Sequence, residues 1–225
     1  CEHSSTGAGR LRIEALVTQP EPVAVTRARY DRLASVYDLL EWWPERARLG
    51  RWRARLWGGV PSGHVLEVGV GTGKNMPYYP PDAAMTAVDI SPRMLARAAR
   101  RAARLGRDVR FHLMDVQALA FPDAAFDAAA ATFVFCSVPD PVRSLRELRR
   151  VVRPGGRIHL LEHMRADHPS LGRIMDWLDP IVVRLLGPHI NRRTVANVTA
   201  AGLDIEAVED LAPSGMVRLI TARVP

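Results

Sequence analysis

Short apolar runs alternate with helix-length segments along most of the chain. The runs "HVLEVGV", "MTAVDI", "VRFHLMD", "FDAAAATFVF" and "RIHLLEH" are predicted to be buried strands. Between them, the spacing of apolar residues predicts one helix over Arg93–Leu105, with Ser91 as N-cap and Gly106 as its stop, and another that begins after Asp140. This alternation predicts an α/β fold with a parallel sheet and helices on both faces.

The two ends of the chain depart from this alternation. Residues 1–25 combine Ser, Gly and Pro with little periodicity and are predicted to form a flexible arm. A helical pattern begins at Thr26, the expected N-cap, and a second helix is predicted over Glu45–Trp57. The late segments "LDIEAVEDL" and "MVRLITARV" are predicted to pair as an antiparallel hairpin. We therefore expect residues 26–225 to form one domain, with residues 26–60 as an N-terminal helical cover.

Composition and charge exclude classes of protein without naming a function. No apolar run reaches the length of a membrane span, and the first residues do not resemble a signal peptide. Cys1 and Cys136 are the only cysteines, too few for a disulfide framework. Because disulfides are typical of oxidising compartments, we expect the reducing cytoplasm as the location. The net charge of +7 invites contact with RNA or an anionic membrane. However, Lys74 is the only lysine among 31 basic residues, and dispersed arginines favour a solvated surface.

The stretch "VLEVGVGTG" places an acidic residue just before three glycines. Gly69, Gly71 and Gly73 follow the first predicted strand, where open α/β sheets bind their ligands. Their spacing matches neither the dinucleotide loop nor the phosphate loop, which argues against a nicotinamide-dependent oxidoreductase. Glu67, on the strand just before the loop, would repel a phosphate and suits a ligand with a cationic centre.

Two more carboxylates end the next two predicted strands. Asp89 lies 16 residues beyond Gly73, about where an acidic residue binds the hydroxyls of an adenosine ribose. Asp115 ends the third strand, where it could accept a hydrogen bond from the adenine amine. Three carboxylates and a glycine loop predict a site for a nucleoside without phosphates. S-adenosylmethionine, which adds an amino-acid tail and a sulfonium charge, fits this description.

The motifs "VLEVGVGTG", "AVDISPRML", "MDVQALAFPDAAFD" and "VVRPGGRIHLLEH" resemble, in order and spacing, those of class I S-adenosylmethionine-dependent methyltransferases. The chain is most similar to the ubiquinone/menaquinone and phospholipid N-methyltransferase group and to related thiol S-methyltransferases. This resemblance implies a three-layer Rossmann-like fold. It implies a seven-stranded, mostly parallel sheet with a terminal antiparallel strand, and S-adenosylhomocysteine as the product left after transfer.

Family roles transfer to positions of this sequence that match the motifs. The glycines would surround the methionine moiety, Asp89 would bind the ribose, Asp115 and Val116 would lie beside adenine, and Thr132 and Phe133 would border the sulfonium. An N-terminal helix would cover the cofactor. The residues expected to bind the cofactor are Glu67, Gly69, Gly71, Gly73, Asp89, Ile90, Met94, Asp115, Val116, Thr132, Phe133 and Tyr37.

The methyl acceptor is not named by any motif. Transfer from a sulfonium is an in-line displacement that needs alignment above all, and a base only where the acceptor must lose a proton. His163, at the end of the fifth predicted strand, is the candidate general base, with a hydrogen-bonded structural histidine as the alternative. Cys136 either faces the acceptor or fills the core. Residues 164–194 are expected to build the acceptor pocket. Their apolar content favours a small, apolar or soft acceptor, such as a thiol, a phenol or quinol, or an amine.

Three alternative functions stay open. A phospholipid N-methyltransferase would use the Trp-bearing basic segment, with Trp42, Trp43, Trp52 and Trp57, on an anionic membrane surface. An RNA methyltransferase would use the positive charge, although few aromatic residues are available for base stacking. An inactive cofactor-fold binding protein would show damage in the loop or at Asp89, and the sequence shows none.

Two further features narrow the prediction. The Arg-Asn pair typical of the quinone enzymes is absent near the fourth strand, where "TFVFCSV" stands. Two histidines and two aspartates in the late insert match no metal-site spacing, so no metal is expected. These residues are His168, Asp176, Asp179 and His189. The sequence carries no indication of the oligomeric state.

Overall fold

The computed structural model describes residues 21–33, 48–185 and 188–225. Within these ranges the strands are β1 (His64–Val68), β2 (Ala84–Asp89), β3 (Val109–Leu113), β4 (Phe126–Thr132), β5 (Val152–His163), β6 (Asp204–Asp210) and β7 (Val217–Arg223). The α-helices are α1 (Glu21–Leu33), α2 (Gly50–Trp57), α3 (Pro92–Leu105), α4 (Pro141–Val151), α5 (Pro169–Leu185) and α6 (Thr194–Ala200).

The seven strands form one sheet in the order β3-β2-β1-β4-β5-β7-β6. The pairings among β1 to β5 are parallel, and β7 runs antiparallel to both of its neighbours, β5 and β6. The strand order reverses between β1 and β4, and such a switch point opens a crevice at the carboxyl ends of the strands. The predicted α/β sheet and its terminal antiparallel hairpin are confirmed.

Helices cover both faces of the sheet and complete three layers. On one face, Leu56 of α2 and Leu95 of α3 pack against Val65 and other apolar strand residues. On the other face, Leu145 of α4 and Val198 of α6 pack against the sheet. Because both faces of the sheet are buried, the strand sequences are nearly continuous apolar runs.

The ends of α3 agree with the sequence prediction. The Ser91 side chain accepts a hydrogen bond from the backbone N–H of Met94, and Gly106 ends the helix with a left-handed φ of 62°. Capping by a serine and a glycine fixes where this helix begins and ends. The helix therefore begins three residues after Asp89, the last residue of β2.

Two predicted boundaries are wrong. Helix α1 begins at Glu21, so Thr26 is not its N-cap and residues 21–25 are helical. Pro22 lies in the first helical turn, where proline is tolerated because its missing N–H has no partner to lose. The strand β5 already begins at Val152, before the predicted run "RIHLLEH". The start predicted for the second helix, Glu45, lies outside the described residues and stays a prediction. Of the arm predicted over residues 1–25, residues 1–20 lie outside the described residues, and that part stays a prediction.

The end of the Trp-bearing segment packs into the domain, whereas the alternative of a membrane contact by the whole segment stays a prediction. Trp57 is 2% exposed, and its ring centroid is 4.5 Å from that of Tyr79. Trp42 and Trp43 lie outside the described residues. None of the helices in the described ranges is both long and apolar enough to cross a membrane. The cytoplasmic location stays a prediction.

Candidate active site

A cavity opens at the carboxyl ends of β1 to β4, at the switch point of the sheet. It is lined by most of the residues predicted to bind a cofactor, namely Gly69, Gly71, Asp89, Ile90, Met94, Asp115, Val116, Thr132 and Phe133. Further lining comes from Thr26, Tyr30, Val88, Met114, Val134, Ser137, Val138 and Pro139. Polar groups are few and the rest of the lining is apolar, as in typical small-molecule sites.

The glycine loop brings bare backbone to the wall of the cavity. Gly71 has a φ of 54°, and a Cβ built on it would have no protein atom within 4 Å. Its backbone N–H donates to Oδ2 of Asp89 at 2.8 Å. A side chain at this position would therefore project into open space beside the cavity, whereas the positive φ is the conformation that favours glycine.

Gly73 serves packing and does not line the cavity. Its φ is 81°, and a Cβ built there would lie 2.6 Å from Cε of Met76 and 3.3 Å from Cα of Ala98 on α3. Only glycine allows the loop to pass this close to α3. The expected contact of Gly73 with the methionine moiety therefore stays a prediction.

Asp89 ends β2 with its carboxylate on the cavity wall. Oδ1 accepts from the backbone N–H of Ser91 at 2.9 Å, and Oδ2 accepts from that of Gly71. Burial raises the pKa of Asp89 to about 6, although these backbone donors favour the charged form. The carboxylate is thus held in place and ionised near neutral pH, with acceptor capacity left for a ligand hydroxyl.

Asp115 and Val116 form the next part of the wall, after β3. The Asp115 carboxylate accepts from the backbone N–H of Gln117 at 2.9 Å and from its side-chain amide at 3.0 Å. Val116 is 8% exposed and presents an apolar surface beside it. An acceptor next to an apolar side chain suits a planar base that carries an amine.

Glu67 lies beneath the loop and not against the cavity. It is fully buried, accepts from Nδ2 of Asn75 at 2.5 Å, and accepts from the hydroxyl of Tyr79. Burial raises its pKa to about 8, opposed by the hydrogen bond from Asn75 and the charge of Arg53. Its predicted contact with a cationic ligand stays a prediction, and the structure shows instead that it supports the loop.

The polar network around Glu67 was not predicted from the sequence. Nη1 of Arg53 donates to Oδ1 of Asn75 at 2.8 Å, and Nδ2 of Asn75 also lies 3.1 Å from Oγ1 of Thr132. Because Thr132 lines the cavity, the network connects α2 and the segment after the loop to the far wall. The only indication of this network in the sequence is the polar residues of "GKNMPYY". A sequence pattern does not indicate which distant residues these side chains contact.

The far wall is the segment that follows β4. Phe133 has a φ of 57°, which is uncommon for a bulky residue and marks local strain at the cavity. Glu162 supports this segment from below, because its Oε1 accepts the backbone N–H groups of Val134 at 2.9 Å and Phe135 at 3.1 Å. Burial raises the pKa of Glu162 to about 7. Its side chain lies on the face of β5 opposite to that of His163, as expected from strand alternation.

His163 ends β5 outside the residues that line the cavity. It is partly buried, and burial lowers its pKa because it disfavours the charged ring. Cys136 is 5% exposed, its Sγ lies 3.4 Å from the carbonyl oxygen of Phe133, and burial raises its pKa to about 12. The thiol is therefore protonated, which fits the interpretation of Cys136 as a core filler.

Helix α1 closes one side of the cavity. The Tyr30 hydroxyl lies 2.6 Å from Oγ of Ser137, and both residues line the cavity. The Ser91 hydroxyl donates to Oδ1 of Asp31 at 2.5 Å, which attaches α1 to the start of α3. The predicted helical cover is thus in contact with the site, whereas Tyr37 lies outside the described residues.

The insert after β5 packs behind the far wall. Among its described residues, none lines the cavity, so its expected role in the acceptor pocket stays a prediction. Asp179 is 7% exposed and accepts from the backbone N–H of Ile190 at 2.8 Å, with Nδ1 of His189 at 2.8 Å. The backbone N–H of His189 donates to the carbonyl oxygen of Cys136 at 2.8 Å, which ties the insert to the segment after β4.

The cavity fits the cofactor expected from the sequence. Gly71 leaves space for a ligand against its backbone, Asp89 offers a carboxylate for ribose hydroxyls, and Asp115 with Val116 suits an adenine. The described lining contributes no lysine or arginine that would bind a phosphate. A nucleoside ligand without phosphates matches this set of groups.

Comparisons with known proteins agree with this geometry. A family model described as a methyltransferase domain matches residues 66–160. A demethylmenaquinone methyltransferase of Renibacterium salmoninarum is 32% identical over 83% of this chain and 76% of its own length. A phosphatidylethanolamine N-methyltransferase of Cereibacter sphaeroides is 40% identical over 50% of this chain, and a human thiol S-methyltransferase is 37% identical over 48%. The matches cover 57% and 46% of the lengths of these last two relatives.

Solved structures share the fold at lower sequence identity. A methyltransferase from Thermotoga maritima aligns with a TM-score of 0.69 over 88% of this chain and 99% of its own, at 21% identity. A geranyl diphosphate methyltransferase solved with S-adenosylmethionine aligns with a TM-score of 0.65 over 78% of this chain and 84% of its own, at 20% identity. By fold, by cavity and by its relatives, the chain belongs to the S-adenosylmethionine-dependent methyltransferases.

Proposed function

We propose that the chain transfers the methyl group of S-adenosylmethionine to a small, apolar or soft nucleophile, such as a thiol, a phenol or quinol, or an amine. The observation that carries this proposal is the cavity, in which Asp89, Asp115 and the open side of Gly71 meet an otherwise apolar lining. Relatives named for quinone, thiol and phospholipid acceptors support the same range of chemistry.

Asp89, Asp115, Val116 and the loop at Gly69 and Gly71 would hold the cofactor. When bound, S-adenosylmethionine supplies an electrophilic methyl group on a positively charged sulfur. The residues of the site would align the acceptor with the methyl group and exclude water, since in-line displacement depends mainly on alignment. The hydrogen bonds of Asp89 to two backbone N–H groups keep its carboxylate in one place for this purpose.

The wall after β4 and helix α1 would exclude water from the transfer. Phe133, Val134 and Val138 present apolar surface to the cavity, and the contact of Tyr30 with Ser137 joins the two walls across it. Glu162 holds the backbone of this segment through Val134. A dry, apolar site favours a soft or apolar acceptor over a strongly hydrated one.

His163 remains the candidate base for acceptors that lose a proton. Because burial lowers its pKa, the ring is neutral near pH 7 and can take up a proton. An amine that arrives uncharged would attack without this help. A base is therefore expected to matter for thiols and phenols and to matter less for amines.

The test is a transfer assay with cofactor labelled in the methyl group, offered with thiols, phenols, quinols, amines, phospholipids and RNA. We expect label in one of the first four classes. Label in phospholipid would select the phospholipid N-methyltransferase alternative, to which the 40% identity of the Cereibacter sphaeroides relative gives weight. Label in RNA would contradict the proposal. Cofactor binding without transfer to any class would favour an inactive binding protein.

A further inference from the structure

Helix α5 has one buried and one exposed apolar face. Gly172, Met175 and Asp179 are buried at intervals of three and four residues, so they mark the face that packs on the domain. Ile174 is 53% exposed, Trp177 74% and Ile181 51%, at the same intervals, so they share the outer face. Three large apolar side chains exposed side by side on one helix face indicate a surface that contacts a partner.

The arginines of α5 lie beside its outer face, and its two acids are paired with other residues. Arg173 and Arg184 are exposed, and their positions relative to Trp177 place them along the edge of its row. Both acids of the helix are engaged elsewhere. Asp176 is paired with Arg165 at 2.8 Å, and Asp179 with His189. The outer face is therefore apolar with a positively charged edge.

We propose that this face, formed by Ile174, Trp177, Ile181, Arg173 and Arg184 and called the α5 face below, lies on an anionic lipid bilayer. A helix with an apolar row, an exposed tryptophan and flanking arginines suits the boundary between headgroups and acyl chains. The net charge of +7 adds attraction to such a surface. A second copy of the chain fits less well, because three apolar side chains fall far short of the roughly 20–30 residues per side of a stable interface.

The α5 face is connected to the cavity. The chain beyond α5 bonds the wall after β4 through His189, and Nη2 of Arg192 donates to the carbonyl oxygen of Val138 at 2.8 Å. Val138 lines the cavity. If the proposed function holds, membrane contact would favour acceptors that partition into lipid; the binding itself does not depend on that function.

The test is co-sedimentation of the full chain with vesicles of phosphatidylcholine alone and of phosphatidylcholine mixed with phosphatidylglycerol. We expect binding to the mixed vesicles that weakens as salt is added. Trp177→Ser should lower the partition coefficient about tenfold, because a large apolar side chain no longer enters the bilayer. Each of Arg173→Gln and Arg184→Gln should lower it by about fivefold.

Matched controls test whether the position of these residues matters. The single variants Arg100→Gln and Arg104→Gln each remove one charge from an exposed position of α3, and Val208→Ser removes an apolar side chain that is 43% exposed on β6. Each control should lower the partition coefficient by less than about twofold, because its side chain does not contact the bilayer and only the screened long-range attraction changes. Equal loss in the controls, or unchanged binding by Trp177→Ser, would overturn the proposal.

Two further measurements distinguish lipid binding from self-association and from loss of the fold. Analytical ultracentrifugation that finds a dimer dissociated by Trp177→Ser would assign the α5 face to self-association and would also overturn the proposal. Because Trp177 is mostly exposed, the variant should unfold at the wild-type urea midpoint. Heats of S-adenosylhomocysteine binding should be unchanged in Trp177→Ser, so failure of the vesicle test and failure of the proposed function give different results.

Discussion

Replacing Gly71 by alanine separates the ligand role of the glycine loop from its structural role. The φ of 54° is unfavourable for a residue with a Cβ, which costs roughly 1–2 kcal/mol. In a chain of this size, that loss lowers Tm by about 2–8 °C. The new methyl group touches no protein atom within 4 Å, so no steric cost inside the fold is added.

The same methyl group would occupy space needed by the cofactor. Inserting a methyl group into a filled site typically costs about 1–3 kcal/mol. We therefore expect Gly71→Ala to raise the Kd for S-adenosylhomocysteine roughly 5- to 150-fold. Isothermal titration calorimetry measures this change, and thermal unfolding measures the cost to the fold.

Gly106→Ala is the matched control. Gly106 has a φ of 62°, and a Cβ there also meets no atom within 4 Å, but it ends α3 and does not line the cavity. It should lower Tm by about as much as Gly71→Ala while leaving the Kd unchanged. If both variants bind S-adenosylhomocysteine like the wild-type chain, the assignment of the loop to the cofactor is refuted.

Three other variants test the remaining groups of the site. Asp89→Asn should weaken S-adenosylhomocysteine binding by about 1–3 kcal/mol in calorimetry, the value of a hydrogen bond to a charged group; unchanged affinity would remove the ribose assignment. Because the pKa of Glu67 is raised to about 8, the folded chain keeps a proton that the unfolded chain releases from about pH 4.5, so stability falls as the pH rises through this window. Glu67→Gln should flatten that fall in urea unfolding between pH 5 and 8, and an unaltered slope would contradict the raised pKa. His163→Ala should lower kcat for a thiol or phenol acceptor and spare cofactor affinity; equal turnover would exclude it as the base.

The order of elements could be read from the sequence because it depends on local pattern. Strands buried on both faces give apolar runs, and caps such as Ser91 and Gly106 mark helix ends without any knowledge of the fold. The start of α1 was misplaced because Pro22 suggested irregular structure, although proline is accepted in a first helical turn.

The site was predictable where function depends on position along a strand. Asp89 and Asp115 reach the cavity because parallel strands present their carboxyl ends at one edge. The Glu67 side chain does not reach the cavity. Both faces of a central strand are buried, and the sequence pattern does not tell which face a given side chain lies on. Likewise, the apolar content of residues 164–194 predicted a pocket, whereas Trp177 in this insert is 74% exposed, because composition does not tell which face of α5 meets the domain.

The central claim is that the glycine loop and the strand-end carboxylates form a site for an adenosine without phosphates that bears a sulfonium. Titration calorimetry with S-adenosylmethionine, S-adenosylhomocysteine and NADH tests it most directly. We predict one-site binding of the first two ligands and no heat with NADH. Absence of binding by both sulfur compounds, or comparable binding of NADH, would contradict the claim.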